Sequence, residues 1–372
     1  MSSPIRIQQI ELYSSRIRLK EPFVISLGAL DFAENTLVII HTSSGISGIG
    51  ECSPFRSIHG ETIATNMSVG SEIARHLISA NPLDIASCHA LMSKTIYGNT
   101  SIKSAFDCAL YDILGKFENL PVYKILGGNH PRVLFTDYTV SLGPVQKMVN
   151  DAVQIQQNGF PVIKIKLGGT VDEDIERMKK IREAVGLEIP VRIDANQGWS
   201  VKDAEKILNE LSTLNIQHCE EPIARWDYMN LPLLRKNSPI PIMADESCCD
   251  ENDAARLIQL DACDSVNVKL GKSSGIFRAK KIIDLAEKAQ LKIQIGGFLE
   301  SRIGFTAAAH LALSSKNVNY IDFDTPLMFA EDPATGGIEY GLNGSIHTPD
   351  KAGFGVWVDE NYLQKQSKQI IN

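Results

Sequence analysis

The sequence predicts an α/β protein, a TIM-type (β/α) barrel joined to a separate α+β domain. Three observations lead there. The 372 residues are too many for one ordinary core. After Arg132, short β-branched segments alternate with amphipathic helical ones, and eight strands fit into roughly 190 residues, the unit length of such a barrel. Before that point the order is strands first, then helices. A doubly wound open sheet is the rival, but no G-x-G-x-x-G follows an early strand.

Bulk composition narrows the class. The chain is 44% hydrophobic and 22% charged, with a net charge of −7 and no basic block. That excludes nucleic acid and anionic membrane surfaces as expected partners. No apolar run is long enough to span a bilayer, and the N-terminal segment lacks the apolar stretch of a signal peptide. The seven cysteines are scattered, without paired C-x-x-C motifs. A reduced, cytoplasmic protein is expected. A homo-oligomer stays open.

Residues 1–130 read as the α+β domain. Its strands are Ile5–Arg18, Thr36–Thr42 and Gly45–Glu51, and its helices Glu61–Ile78, Pro82–Lys94 and Ser101–Phe117, with Ser101 as an N-cap. Between the first two strands, Pro22–Ala33 reads as a loop unusually rich in apolar residues, which packs on something or closes over a ligand. Residues 131–330 make the barrel. From about 331 to 372 the chain is strand- and turn-like again and returns to the first domain.

In a barrel, catalytic groups come from the C-terminal ends of strands. Strand two, Pro161 to Gly169, places Val162, Lys164 and Lys166 on one face. Two ammonium groups one pleat apart repel, and burial adds to the effect, so their pKa values are expected to fall toward neutrality, where a lysine becomes a usable base. Strand three ends in Asp194-Ala-Asn196, strand four in Glu220-Glu221-Pro222, strand five in Asp245-Glu246-Ser247 and strand six in Lys269. These ends recur at roughly one βα unit. Read singly, each acid could be a helix cap or half of a salt bridge. As a run, Asp194, Glu220 and Asp245 converge on one point. An all-oxygen set suits a hard cation, Mg²⁺ or in its place Mn²⁺. Lys166 and Lys269 then stand across the mouth from each other. That arrangement suits removal of a proton α to a carboxylate, with Lys164 beside the developing charge.

Strand eight ends in Asp322-Phe-Asp324, two carboxylates that could bind a substrate ammonium group or a second metal. Strand seven ends in Gly296-Gly297-Phe298, which leaves room for a ligand backbone and adds an apolar wall. Glu221 should face away from Glu220, Glu246 should support the metal site from outside, and His218 should pack. The motifs of zinc proteases, α/β-hydrolases and P-loop enzymes are absent from the sequence.

Taken together, Ala109-Leu-Tyr-Asp-Ile-Leu-Gly-Lys116, Leu126-Gly-Gly128, Lys164-Ile-Lys166, Asp194-Ala-Asn196, Glu220-Glu-Pro222, Asp245-Glu-Ser247 and Lys269 resemble the enolase superfamily in its muconate-lactonizing branch. The resemblance covers nearly the whole chain. It implies a modified (β/α)7β barrel under an α+β capping domain. It also implies Mg²⁺ on Asp194, Glu220 and Asp245, Lys166 and Lys269 as the acid/base pair, and Lys164 as the cation near the substrate carboxylate. Asp322-Phe-Asp324 is similar to the D-x-D with which dipeptide epimerases hold the α-ammonium group. By the same likeness Thr139 contacts the substrate, and the reading of strand seven adds Gly297 and Phe298 as substrate contacts. The expected reaction is epimerisation at the C-terminal residue of a dipeptide. A muconate-type cycloisomerase or an N-acylamino acid racemase is the alternative. Members accepting Ala-Glu carry an arginine in the capping loop, where this chain has Ser26-Leu-Gly28-Ala-Leu-Asp31. A small or apolar second residue is therefore expected, with Arg56 the one side chain able to reverse the preference.

Overall fold

The computed structural model describes residues 5–129 and 131–372. The capping sheet has four antiparallel strands. Ile7–Ile25 lies between Gly28–Thr42 and the C-terminal strand Ser367–Ile371, and Ser47–Cys52 completes the other edge. The last residues of the chain thus pair with its first strand. The sheet buries Leu12 against the helices Ile63–Leu77 and Thr100–Glu118, where Leu12 and Ile102 meet at Gly70. Gly48 and Gly50 sit directly on the second of these helices. A Cβ at either would collide with the carbonyl of Ala109 or Ala105, so strand and helix meet backbone to backbone.

Two local expectations are corrected. Pro22–Ala33 is not a loop. It belongs to a long hairpin that turns at Ser26-Leu27, with Phe23 opposite Leu30 and Ile25 opposite Gly28. Its β-branched and aromatic residues continue the ladder beyond an irregularity between Arg18 and Phe23, and Gly28, at φ 135°, supplies the turn. The third helix begins at Thr100 with Asn99 as its N-cap, not Ser101. The Ser101 and Ile102 amides instead donate to Glu61, at 2.9 and 3.2 Å.

The barrel strands are Tyr138–Val140, Ile163–Lys166, Val191–Asp194, Ile216–Glu220, Ile242–Ala244, Ser265–Lys269, Lys292–Gly296 and Val318–Ile321, parallel and in sequence order. The Asp137 amide donates to Ile321 O at 3.4 Å, linking the first strand to the eighth. Seven helices follow the first seven strands. The eighth strand is followed directly by the 3₁₀ turn Thr325–Met328 in place of a barrel helix. This is the (β/α)7β pattern. Just ahead of the first barrel strand, Leu134–Phe135 pairs with Ser345–His347 outside the barrel. Among the described residues no helix is long and apolar enough to cross a membrane.

The capping domain covers the C-terminal mouth. The Leu142 amide donates to Val24 O at 2.9 Å, and Ser26 Oγ at the hairpin tip donates to Asn196 O at 3.0 Å. The tip rests on Gly168, where a Cβ would press on both Ser26 and Ala195 O. Arg225, beyond strand four, donates to Ile58 O of the second capping loop at 2.9 Å.

Candidate active site

Parallel pairing aligns the strand ends that carry the acids. Lys166 lies beside Asp194, and Asp194 beside Glu220. Their side chains, with that of Asp245, are almost fully excluded from solvent. Charged groups survive there only when paired. Lys166 Nζ donates to Asp194 Oδ2 at 2.6 Å, and Lys269 Nζ to Asp245 Oδ2 at 2.7 Å. Lys164 Nζ lies 2.9 Å from Glu220, 2.7 Å from Asp322 and 3.3 Å from Asp194, so its three protons face three carboxylates.

The expected fall in lysine pKa does not occur at Lys164, and the same balance of effects holds at Lys269. Burial would depress both. At Lys164 the carboxylates of Asp322, Glu220 and Asp194 outweigh it, and at Lys269 those of Asp245 and Glu220 do, so each ammonium is held above its ordinary range. Repulsion between lysines 164 and 166 is the weaker effect because acids surround them. The same contacts act in reverse on Glu220, whose carboxyl burial would raise but which the lysines 164, 269 and 166 hold well below its usual value.

A cavity lies above these pairs, between barrel and cap. Phe23 and Ile25 of the hairpin and Phe55 and Ile58 of the second capping loop form its roof. Thr139, Lys164, Lys166, Lys269, Gly297, Phe298, Asp322 and Asp324 line the rest, together with Asn196, Leu299 and Thr325. The structure therefore brings every sequence-predicted catalytic and substrate residue to one space. Lys166 and Lys269 each stand near an aromatic face, of Phe23 at 5.8 Å and of Phe298 at 4.9 Å. Gly297 is small for a reason other than the one expected, since the ring of Phe305 fills the space a Cβ would need.

Asp322 and Asp324 lie just beyond strand eight. Carboxylate oxygens of Asp137, Asp322 and Asp324 come within 4.8 Å of one another. Arg192 pairs with Asp137 at 2.6 Å, and Lys164 with Asp322. Asp324 accepts the Thr139 amide at 2.6 Å, and among the described residues it makes no ion pair. Burial and the neighbouring Asp322 push its carboxyl up to about 7.

Several supporting residues carried little or no sequence signal. Lys272 is fully buried and donates to Asp245 Oδ1 at 2.6 Å and to the Asp245 carbonyl. Asn267 and Gln294 donate to the two oxygens of Glu220 at 2.8 and 3.2 Å. Strand alternation could have found these two, since they share faces with Lys269 and Gly296. For Lys272, in the turn Leu270-Gly-Lys-Ser-Ser-Gly275, the sequence offered no such signal. Glu221 faces away from Glu220, as expected, and accepts the amides of Asp245 and Ser247 at 2.6 and 3.2 Å. Glu246 accepts Asn196 Nδ2 at 3.3 Å, and His218 packs 4.9 Å from the Tyr320 ring. Arg56 is exposed and lines a separate groove beside the hairpin.

The donor set suits a divalent cation. Asp194, Glu220 and Asp245 offer only oxygens, and the buried Asn196 Oδ1 and Glu246 Oε2 beside them have no hydrogen-bond partner. The expected convergence of the three acids on one point is not seen: Lys164 pairs with Asp194 and Glu220 and Lys269 with Asp245, and among the described residues the carboxylates that come within 4.8 Å of one another are those of Asp137, Asp322 and Asp324.

Fold and site together define a barrel enzyme of a class that buries lysines and carboxylates side by side at the mouth of its barrel. Residues 8–127 match the model of the mandelate racemase/muconate lactonizing enzyme N-terminal domain, and residues 147–362 that of the enolase C-terminal domain-like family. The chain belongs to this family, in the enolase superfamily. It is 55% identical to the D-Ala-D/L-Ala epimerase of Cytophaga hutchinsonii, over 98% of this chain and 100% of that one. It superposes with a TM-score of 0.98 on the crystal structure of the Cytophaga hutchinsonii dipeptide epimerase complexed with Mg and D-Ala-L-Val, covering 99% and 100% of the two chains. It is 37% identical to the hydrophobic dipeptide epimerase of Enterococcus faecalis, over 95% and 99%. It is 32% identical, with a TM-score of 0.95 over 99% and 100%, to the N-succinyl Arg/Lys racemase of Bacillus cereus.

Proposed function

We propose that this protein is a Mg²⁺-dependent dipeptide epimerase acting on Ala-Xaa with a small or apolar Xaa. The observation that carries the reading is Asp324, a buried carboxylate at the cavity wall that makes no ion pair among the described residues, beside Asp322. The α-ammonium group of a dipeptide supplies the missing charge. Cycloisomerase substrates and N-acylated amino acids bring no such group, so the alternative readings leave this carboxylate unexplained.

Asp194, Glu220 and Asp245 would hold the ion, which when bound supplies positive charge against the substrate carboxylate. The remaining work falls to the chain's own groups. Lys166 and Lys269 address opposite faces of the α-carbon. One, as the free amine, takes the α-proton onto Nζ, and the other, as the ammonium, delivers a proton to the opposite face. Lys164 adds fixed charge where the enediolate develops and ties that end of the site to Asp322. Phe23, Ile25, Phe55 and Phe298 exclude water and give an apolar side chain a surface to bury. The hairpin tip presents no cation to an acidic side chain, whose charge would lose its hydration there without a partner.

The test is a screen of L,L-dipeptides in D₂O, read by mass spectrometry and chiral chromatography. Deuterium should enter the C-terminal residue of Ala-Ala or Ala-Val together with inversion. Exchange confined to N-acylated amino acids would sink the reading.

A further inference from the structure

The seventh barrel loop, residues 297–301, is held from outside the barrel. It carries Phe298 and Leu299 into the cavity. Both backbone groups of Leu299 are bound by the capping domain. Its carbonyl accepts Asn35 Nδ2 at 2.7 Å, and its amide donates to Ser53 Oγ at 3.3 Å. Glu51, on the third capping strand, accepts the Ser301 amide at 3.0 Å, Ser301 Oγ at 2.7 Å and the Gly304 amide at 2.8 Å. Ser301 is the N-cap of the helix Arg302–Leu313, its Oγ accepting the Ile303 amide at 3.2 Å, and Glu51 reinforces that cap from another domain by accepting the next free amide. Asn35 also donates to Glu51 Oε1 at 2.8 Å, which joins the two grips into one. Glu51, Asn35 and Ser301 are all buried.

We propose that Glu51 and Asn35 are positioning residues for the reaction: by setting loop 297–301 they set the wall of the cavity on the Lys269 side. The connection is short. Lys269 pairs with Gly296 in register, and its Nζ stands over the Phe298 ring at 4.9 Å. The consequence for catalysis rests on the function proposed above, whereas the grip itself does not.

The fold provides its own control. Asp107, on the capping helix Thr100–Glu118, accepts the amides of Ile276 and of Phe277, the latter at 3.3 Å, and is bonded to His89 at 2.5 Å. It caps the helix Ile276–Lys288 in the same manner, but that helix start lines no part of the cavity. Glu51→Gln and Asp107→Asn should therefore both lower Tm, and only the first should alter the chemistry.

The informative readout is the ratio of solvent deuterium entering the two epimers of Ala-Val, which does not depend on how much enzyme is folded. Misplacing a reacting group by an ångström costs up to about a hundredfold, so Glu51→Gln should move this ratio about tenfold, in the same direction as Lys269→Ala. Asp107→Asn should leave it at the parent value. Should Glu51→Gln fail to fold, Asn35→Ala, which frees only the Leu299 carbonyl, should move the ratio the same way. Amide hydrogen exchange in the metal-loaded protein reads the grip directly, with faster exchange at residues 298–304 for Glu51→Gln and at 276–279 for Asp107→Asn. Unchanged exchange at 298–304, or an unchanged ratio despite a lowered Tm, would overturn the proposal. A parent that exchanges no dipeptide proton would instead refute the proposed function, and the amide measurement would still decide the grip.

Discussion

Replacing Asp324 with Asn removes one charge and little else. Asp324 Oδ2 accepts the Thr139 amide at 2.6 Å, and an Asn oxygen can keep that bond. Asp322 and Asp137 stay beside it, already paired with Lys164 and Arg192. Losing one partner of a desolvated charge pair costs about 2–5 kcal/mol. Asp322 still faces the ammonium group, so we expect the lower end, about 2 kcal/mol, or roughly 30-fold in kcat/KM for a free dipeptide. The pH dependence follows from the same geometry. Burial and Asp322 push the Asp324 carboxyl up to about 7, and only its ionised form attracts the ammonium group. In the parent, kcat/KM should rise with pH through about 7, and the variant should lose that limb. The folded value lies above the unfolded one, so the folded state binds the extra proton between roughly pH 4 and 7, and stability falls as pH rises across that window. Asp324→Asn should therefore raise Tm at pH 8 while it lowers activity. The assay is steady-state epimerisation of Ala-Val and of its N-acetyl derivative from pH 5.5 to 9. An equal loss on both substrates would refute the reasoning, because the acetylated one has no ammonium group to lose.

Three further outcomes are expected. Asp245→Asn should weaken Mg²⁺ binding by at least about a hundredfold by calorimetry, more than supporting partners usually contribute, and should also lower Tm because Lys269 and Lys272 share this carboxylate; full activity in excess EDTA would contradict it. Lys166→Ala and Lys269→Ala should each abolish epimerisation yet keep exchange into one epimer, a different one for each, and exchange into both by either variant would break the two-base assignment. The parent should prefer Ala-Val to Ala-Glu, since an apolar side chain gains about 25 cal/mol per Å² buried, and Leu27→Arg at the exposed hairpin tip should narrow the gap; a parent that favours Ala-Glu would show the tip has been misread.

Much of this molecule could be read in its sequence, because the barrel repeats one unit and each strand end displays its polar residue at a similar interval. Asp194, Glu220, Asp245 and Lys269 were legible for that reason. The hairpin was not, because an apolar run broken by Gly28 reads equally as a loop until its partner strand is known. The pKa of Lys164 departs from the expected fall because repulsion between neighbours along one strand is visible in a sequence, whereas Glu220 and Asp322 reach Lys164 from other strands. Lys272 and Glu51 escaped notice for the same reason, since their partners lie 27 and 250 positions away.

The seating of Ser26 on Gly168 has a kinetic consequence. A substrate that entered beneath Phe23 and Ile25 by lifting the hairpin tip would break the Ser26–Asn196 contact, and product would break it again on leaving. Motions of this kind run on microsecond-to-millisecond timescales and limit turnover in many enzymes. Gly168→Ala would wedge the tip outward, because the new methyl group meets Ser26 and Ala195 O. Turnover would then show a smaller viscosity effect and substrate a shorter residence time, even though residue 168 carries no chemistry.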